Sequence, residues 1–193
     1  MNAKKAIVLA AGLGTRLRPL TAACPKPLMP VWGETMLGRM VALLRSWGVT
    51  DIAVNCHYLH EQIEKWCGEN GCRAVHESQI LGTGGVLNPL RDWIGDDDFF
   101  LVNGDIVLEG VDNCPLGRSC WSNDAIGECL VTEEGPRTIE VESASGYVTC
   151  WQSPDSGLHG TYTYCGVALL RSKSSSMSSL PGSPRSCRHT RER

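Results

Sequence analysis

Val8-Leu9-Ala10-Ala11-Gly12-Leu13-Gly14-Thr15-Arg16-Leu17-Arg18-Pro19-Leu20-Thr21 begins as an apolar strand and turns at once into a glycine loop. The apolar run starts at Ala6, so Lys5 to Ala10 reads as a short buried strand. Gly12 and Gly14 remove side chains where a ligand must approach the backbone, and the amides after Gly12 can point at phosphate oxygens. Thr15 adds a hydroxyl and Arg16 a planar fork that stays charged at any working pH. The spacing matches neither a Walker A loop nor a dinucleotide fingerprint. Gly-x-Gly alone is a weak signal that many tight turns share. Its force here comes from Thr15-Arg16 and from Pro25-Lys26-Pro27-Leu28, which starts eleven residues beyond Gly14. The two prolines stiffen the chain around Lys26 and lower the entropy cost of holding its ammonium in place.

Outward from this loop, strands and helices alternate. Pro19 to Pro30 carries too many prolines for a continuous helix. Thr35 is placed to cap a helix whose apolar residues run from Met36 to Trp47, with Gly48 at its end. Val49 to Asn55 reads as a strand, Tyr58 to Glu69 as a helix with Leu59, Ile63 and Trp66 on its apolar face, and Arg73 to His76 as a strand. A helix is expected from about Gly84 to Trp93, bent at Asn88-Pro89, and a strand from Phe99 to Val102. The pattern predicts an α/β fold: a Rossmann-like, mostly parallel sheet with helices on both faces. Ile126 to Val131, Arg137 to Val141 and Tyr147 to Trp151 read as antiparallel strands, and Thr161 to Leu170 as a last strong one. Residues 1–170 are expected to form one domain. Residues 171–193, with eight serines in 172–186, are expected to be a disordered basic tail.

In open sheets of this kind ligands lie beyond the carboxyl ends of the strands. That edge gathers Leu9, Ala10, Ala11, Gly12, Gly14 and Thr15 with the loop Glu77-Ser78-Gln79-Ile80-Leu81-Gly82-Thr83 and with Asn103-Gly104-Asp105. Asp105 ends an apolar strand and is suited to Mg2+, which prefers carboxylate and phosphate oxygens. Asn103 can bond a sugar or ribose hydroxyl. Gly82 and Thr83 let a base lie against the backbone, and either Gln79 or Glu77 can read its edge; Glu77 is equally well explained as an ordinary loop residue. Arg18 either contacts phosphate or supports the loop through an acid. Gly166 makes room for a sugar ring beside Tyr162 and Tyr164. Asp96-Asp97-Asp98 reads as a wet loop. Cys165 has no histidine partner and reads as a buried thiol. His57, His60 and His76 read as surface or packing residues.

Composition narrows the classes further. The 193 residues carry net charge −3, with 12 basic against 20 acidic residues in 1–170 and six against one in 171–193. A body of net −8 gives no reason to expect nucleic acid as partner. The arginines of the +5 tail lie among serines without interleaved aromatics, a weak nucleic-acid signature. Ten cysteines show no Cys-x2-Cys and no histidine completes a ligand pattern, so free thiols in a reducing cytoplasm are expected. No long apolar segment or leader-like start suggests a membrane partner.

The stretches Leu9 to Thr21, Pro25-Lys26-Pro27-Leu28-Met29-Pro30-Val31, Leu81-Gly82-Thr83-Gly84-Gly85 and Val102-Asn103-Gly104-Asp105 together resemble the sugar-nucleotide pyrophosphorylase family, the sugar-1-phosphate nucleotidyltransferases. The likeness covers about residues 4–170 and lies nearest its mannose-1-phosphate guanylyltransferase-like and muramate-recycling uridylyltransferase branches. It implies the nucleotide-diphospho-sugar transferase type of fold. It also implies transfer of a nucleoside monophosphate from a nucleoside triphosphate to a sugar 1-phosphate, with Mg2+ bound and pyrophosphate released. Gly12 and Gly14 would hold the triphosphate, Arg16 the pyrophosphate and Lys26 the sugar phosphate and α-phosphate. Asp105 would be the metal ligand, Gly82 would lie near the base and Gly166 near the sugar. The family's later aspartate, in a Trp-x-Asp-x-Gly-Thr-like context, has no match, so the fold is expected to be incomplete at the C-terminus. Weak nucleotide binding, little or no turnover, and self-association through uncovered sheet are expected to follow. Two other readings remain: a non-catalytic nucleotide or nucleotide-sugar binding protein, and a cytidylyltransferase acting on a phosphoalcohol.

Overall fold

The computed structural model describes residues 3–117, 125–151 and 162–172. Lys5–Leu9 forms strand β1. Three short 3-10 turns and a two-residue ribbon, β2 (Pro30–Val31) and β3 (Glu34–Thr35), lead from it into helix α1 (Met36–Ser46). Next come β4 (Asp51–Cys56), α2 (His60–Glu69), β5 (Arg73–His76), two single-turn helices α3 (Gly82–Gly85) and α4 (Arg91–Ile94), and β6 (Phe99–Asn103). The remaining strands are β7 (Gly127–Thr132), β8 (Glu140–Val141), β9 (Val148–Cys150) and β10 (Thr163–Leu170). The main sheet has the order β5-β4-β1-β6-β10-β7. Its first four strands are mutually parallel, and β10 runs antiparallel to both β6 and β7.

β1 is central because it is apolar on both faces, and the two faces feed different cores. Ala6 and Val8 pack with α1 and α2 through Leu37, Met40, Leu44 and Ile63. Ile7 packs on the other side with Val86, Leu87, Leu90, Ile94 and Phe99. The fold is therefore the expected α/β sheet covered on both faces. No described helix is long and apolar enough to cross a membrane.

α1 starts where its cap was expected: the Thr35 hydroxyl accepts the Gly38 amide at 3.0 Å. Thr35→Ala leaves that amide unsatisfied and is expected to cost about 1 kcal/mol, read as a lower urea midpoint at unchanged slope.

Other boundaries differ from expectation. Leu59 sits at φ 49 just outside α2, so the buried residues of that helix are Ile63 and Cys67. The helix foreseen over Gly84–Trp93 starts at Gly82 and divides in two; between the pieces i→i+3 bonds replace helical ones, because Pro89 has no N–H to give. The strand foreseen from Arg137 begins only at Glu140, since the turn at Gly135 (φ 93) extends through Arg137 (φ 52). Asp97, in the acidic loop, pairs with Lys5 at 2.6 Å while remaining mostly exposed. Thr161 and residues 173–193, which hold nearly all of the foreseen tail, lie outside the described residues.

Burial pushes three thiols upward from an ordinary value of 9.0, Cys56 and Cys129 to about 11 and Cys67 to about 12. Their neutral forms are favoured in the folded chain. The stabilisation they lend is thus complete below pH 9 and declines as pH climbs through 11 and 12, where the unfolded chain gains by ionising first. The urea midpoint is expected to fall between pH 8 and pH 11, with Cys129 and Cys67 resisting alkylation in the native state at pH 8.

Candidate active site

Three strand ends meet at one level. Leu9 of β1 pairs in register with Asn55 of β4 on one side and Asn103 of β6 on the other. Beyond that row the chain must turn, and the turns form a cleft of about 470 Å³. Its walls include Ala10 to Gly12, Gly14 to Leu17, Lys26, Glu77, Gly82-Thr83, Asn103 and Asp105. The structure thus brings most of the sequence-predicted residues into one concavity.

The first loop is held in place by buried polar side chains. Asn55 is buried; its Oδ1 accepts the Ala10 amide at 2.6 Å and its Nδ2 donates to Glu77 Oε1 at 2.7 Å. Glu77, also buried, accepts the Leu81 amide on its other oxygen at 3.0 Å. Asn55 and Glu77 thereby tie the loop after β1 to the loop before α3. Above them, the fully buried Thr21 donates its hydroxyl to the Gly14 carbonyl at 2.8 Å. Gly14 has φ 61, and a Cβ there would press on Thr21 at 3.0 Å and Lys26 at 3.3 Å. Gly12 differs: a Cβ there would meet open space, so backbone is presented to the cleft with nothing in front of it.

Lys26 Nζ and Asp105 Oδ2 form an ion pair at 2.7 Å, each side chain about one-third exposed. Asp105 reaches this place because Gly104 runs hard against β1: its amide donates to the Leu9 carbonyl, and a Cβ would lie 3.0 Å from that oxygen. Arg16, on an exposed 3-10 turn, completes the cationic side of the cleft. Among the described residues, the cleft's walls carry two carboxylates. Glu77 has both oxygens engaged, which leaves Asp105. One carboxylate beside room for phosphates suits Mg2+, which keeps its waters and binds through one or two carboxylates and substrate oxygens.

Some predicted residues fall elsewhere. Gln79 is exposed and outside the cleft wall, where Ile80 stands instead. Arg18 is exposed and also outside it. Gly166 (φ 76) sits in a bulge of β10, and its missing side chain makes room for Asn103 and Ile106, 2.9 and 3.0 Å from where a Cβ would lie. Cys165 has its thiol pushed up by burial, which disfavours a nucleophilic thiolate. Sequence reasoning passed over Asn55 and Thr21; a polar residue ending an apolar strand was the available sign for the first.

A second, more apolar cleft of about 800 Å³ adjoins the first and shares Leu9, Thr83 and Asn103 with it. Its far wall carries Trp151 edge-on to Tyr164, ring centroids 5.3 Å apart.

The family model of the MobA-like NTP transferase domain matches residues 6–112. The mannose-1-phosphate guanyltransferase of Neurospora crassa is 38% identical over 113 residues, 54% of this chain and 31% of that protein. The N-acetylmuramate alpha-1-phosphate uridylyltransferase of Neisseria meningitidis serogroup B is 35% identical over 111 residues, 54% of this chain and 48% of that protein. The chain thus spans about a third to a half of the length of these curated relatives. Among solved structures, the inositol-1-phosphate CTP transferase from T. maritima superposes with TM-score 0.70 at 20% identity, over 90% of this chain and 72% of that one, which is a likeness of fold.

Proposed function

The chain belongs to the family of MobA-like NTP transferase domains, and on that premise we propose that residues 1–170 form a nucleotidyltransferase domain that transfers a nucleoside monophosphate from a nucleoside triphosphate to a sugar 1-phosphate. The observation that carries the reading is the cleft itself, where Arg16, Lys26, Asp105 and the open backbone at Gly12 face one space.

The chemistry follows from that set. The first loop, from Leu9 to Thr15, cradles the triphosphate through backbone amides and the Thr15 hydroxyl. Gly82 and Thr83 lie against the base. An oxygen of the acceptor's phosphate attacks the α-phosphorus while the bond from that phosphorus to the oxygen of the β-phosphate breaks. The attacking phosphate is already ionised, so no general base is needed, and the catalytic work is positioning and charge neutralisation. Lys26 holds the acceptor phosphate against the α-phosphate, and Arg16 takes the charge that gathers on the departing pyrophosphate. Asp105 would hold Mg2+, which supplies Lewis-acid stabilisation of phosphate oxygens when bound. The acceptor's sugar extends past Asn103 toward Trp151 and Tyr164. Free thiols at Cys56, Cys67, Cys129 and Cys165 support a reducing, cytoplasmic setting.

The test pairs two measurements on the full chain: triphosphate binding with and without Mg2+, and pyrophosphate release with each triphosphate and a panel of phosphate acceptors. Cation-dependent binding is expected. Release is expected only with an acceptor, and slowly, well under about 1 s⁻¹, because Asp105 is the one carboxylate among the described walls of the cleft that is left to face a cation, and it must first exchange its contact with Lys26. Binding without release for any acceptor would favour a non-catalytic nucleotide binder; release with a phosphoalcohol alone would favour the other transferase reading. No triphosphate binding at all would sink the proposal.

A further inference from the structure

Away from the cleft, three potential ligands converge at the outer edge of the sheet. His60 opens α2, and Glu64 lies one turn later on the same face. His76 ends the edge strand β5, paired in register with Cys56 of β4. One ligand atom from each of His60, Glu64 and His76 lies within 4.8 Å of the other two. The two imidazoles are stacked, centroids 3.9 Å apart and planes 14° from parallel, and His60 Nδ1 stands 3.2 Å from Glu64 Oε1. The side chains of His60 and Glu64 are about a third exposed, and His76 is exposed, so a hydrated ion can enter and a water can fill a remaining position.

We propose that His60, Glu64 and His76 bind one divalent transition-metal ion of the zinc class, at a site separate from the nucleotide cleft. Bonds of about 2.0–2.2 Å in tetrahedral array put ligand atoms about 3.3–3.5 Å apart. The triad therefore needs a contraction of at most about 1.5 Å and an opening of the ring stack so that the two in-plane lone pairs converge, which side-chain rotations on an open surface supply. Two imidazoles and one carboxylate select Zn2+, Co2+ or Ni2+ over Mg2+, which prefers all-oxygen surroundings. The ion's effect is local: it clamps the start of α2 to the end of β5, which is the edge strand of the sheet among the described residues. His76 immediately precedes Glu77, so the clamp also fixes the point where the chain enters the loop bordering the cleft.

The probe is Co2+, then Zn2+, added to metal-free, untagged full-length protein. The expected result is one equivalent bound, with visible d–d absorption and without the near-ultraviolet charge-transfer band of a thiolate ligand. His60→Ala and His76→Ala are each expected to weaken binding at least about tenfold, since even a lost outer partner costs that much; Glu64→Gln is expected to weaken it too. Excess Mg2+ should not displace the ion. Zn2+ should raise the melting temperature of the wild type and not of His76→Gln, a variant that keeps a polar side chain. Imidazole NMR signals of His60 and His76 in the unaltered protein should shift together on Zn2+ addition, a readout that needs no variant. A thiolate band, unchanged affinity in both histidine variants, or no shift of those two signals would overturn the proposal.

Discussion

Asp105→Asn is expected to weaken Mg2+-dependent triphosphate binding about 10- to 100-fold and to lower nucleotidyl transfer about 10²–10³-fold, with almost no change in folding stability. The separation of effects comes from where Asp105 stands. Its contact with Lys26 is short, 2.7 Å, yet both side chains are about one-third exposed. An ion pair so placed contributes about 0–1 kcal/mol to the fold, because water screens it. The same carboxylate facing a divalent ion among phosphates works on concentrated charge, where one charged hydrogen bond or ligand is worth about 1.5–3 kcal/mol in binding. A lost electrostatic stabiliser in the transition state costs about 10²–10³ in rate. Without ligand, Lys26 and Asp105 occupy each other; triphosphate and cation together offer each a better partner. Asparagine keeps the shape and removes the charge. The control is Asp97→Asn, which breaks the Lys5 contact at the far end of β1 and should leave both readouts unchanged. Isothermal titration with and without Mg2+, pyrophosphate release and a urea melt check all three statements. Unaltered Mg2+-dependent affinity in Asp105→Asn would remove Asp105 from the site.

The parts of the molecule legible in the sequence are those whose cause is local. β1 and its glycine loop form one continuous motif, Thr35 caps the helix it precedes, and Arg73–His76 is a strand at the residues foreseen for it. What could not be read was set by distant partners. Nothing near Val167 to Leu170 says that they pair with Phe99 to Val102, so the insertion of β10 between β6 and β7 appears only in three dimensions. At Gly166 the sequence points toward a sugar; a Cβ there would meet Asn103, more than sixty residues earlier in the chain. His60 and Glu64 show helical spacing, but the third member of their cluster belongs to another element. From sequence alone Glu77 fits either a base-reading group or an ordinary loop residue. Its burial beneath the loops depends on Asn55, which the sequence marks only as the end of an apolar run.

That buried pair supports the second large effect: Asn55→Ala is expected to destabilise the fold by about 3 kcal/mol and to loosen the nucleotide loop as well. Asn55 and Glu77 are 4% and 3% exposed, so water cannot replace a lost partner without local opening. Alanine at 55 removes the acceptor of the Ala10 amide and the donor to Glu77 Oε1 in one step. Each stranded buried group costs about 1–3 kcal/mol, and more where a charge is involved. Leu81 still donates to Glu77, so one oxygen remains satisfied and the lower part of the combined range applies. Glu77→Gln probes the other end of the chain of bonds. An amide group can accept from Asn55 or from Leu81 on its one oxygen but must turn an NH2 toward the other donor, so it too should destabilise the fold, by less. The two variants are in one network, and their double mutant should cost less than the sum of the singles. Hydrogen exchange gives the decisive reading. Faster exchange at Ala10 and Leu81 in Asn55→Ala, with β10 amides unchanged below the global limit, would locate the damage at the two loops. A urea midpoint equal to the wild type would mean that Asn55 and Glu77 do not hold the cleft together.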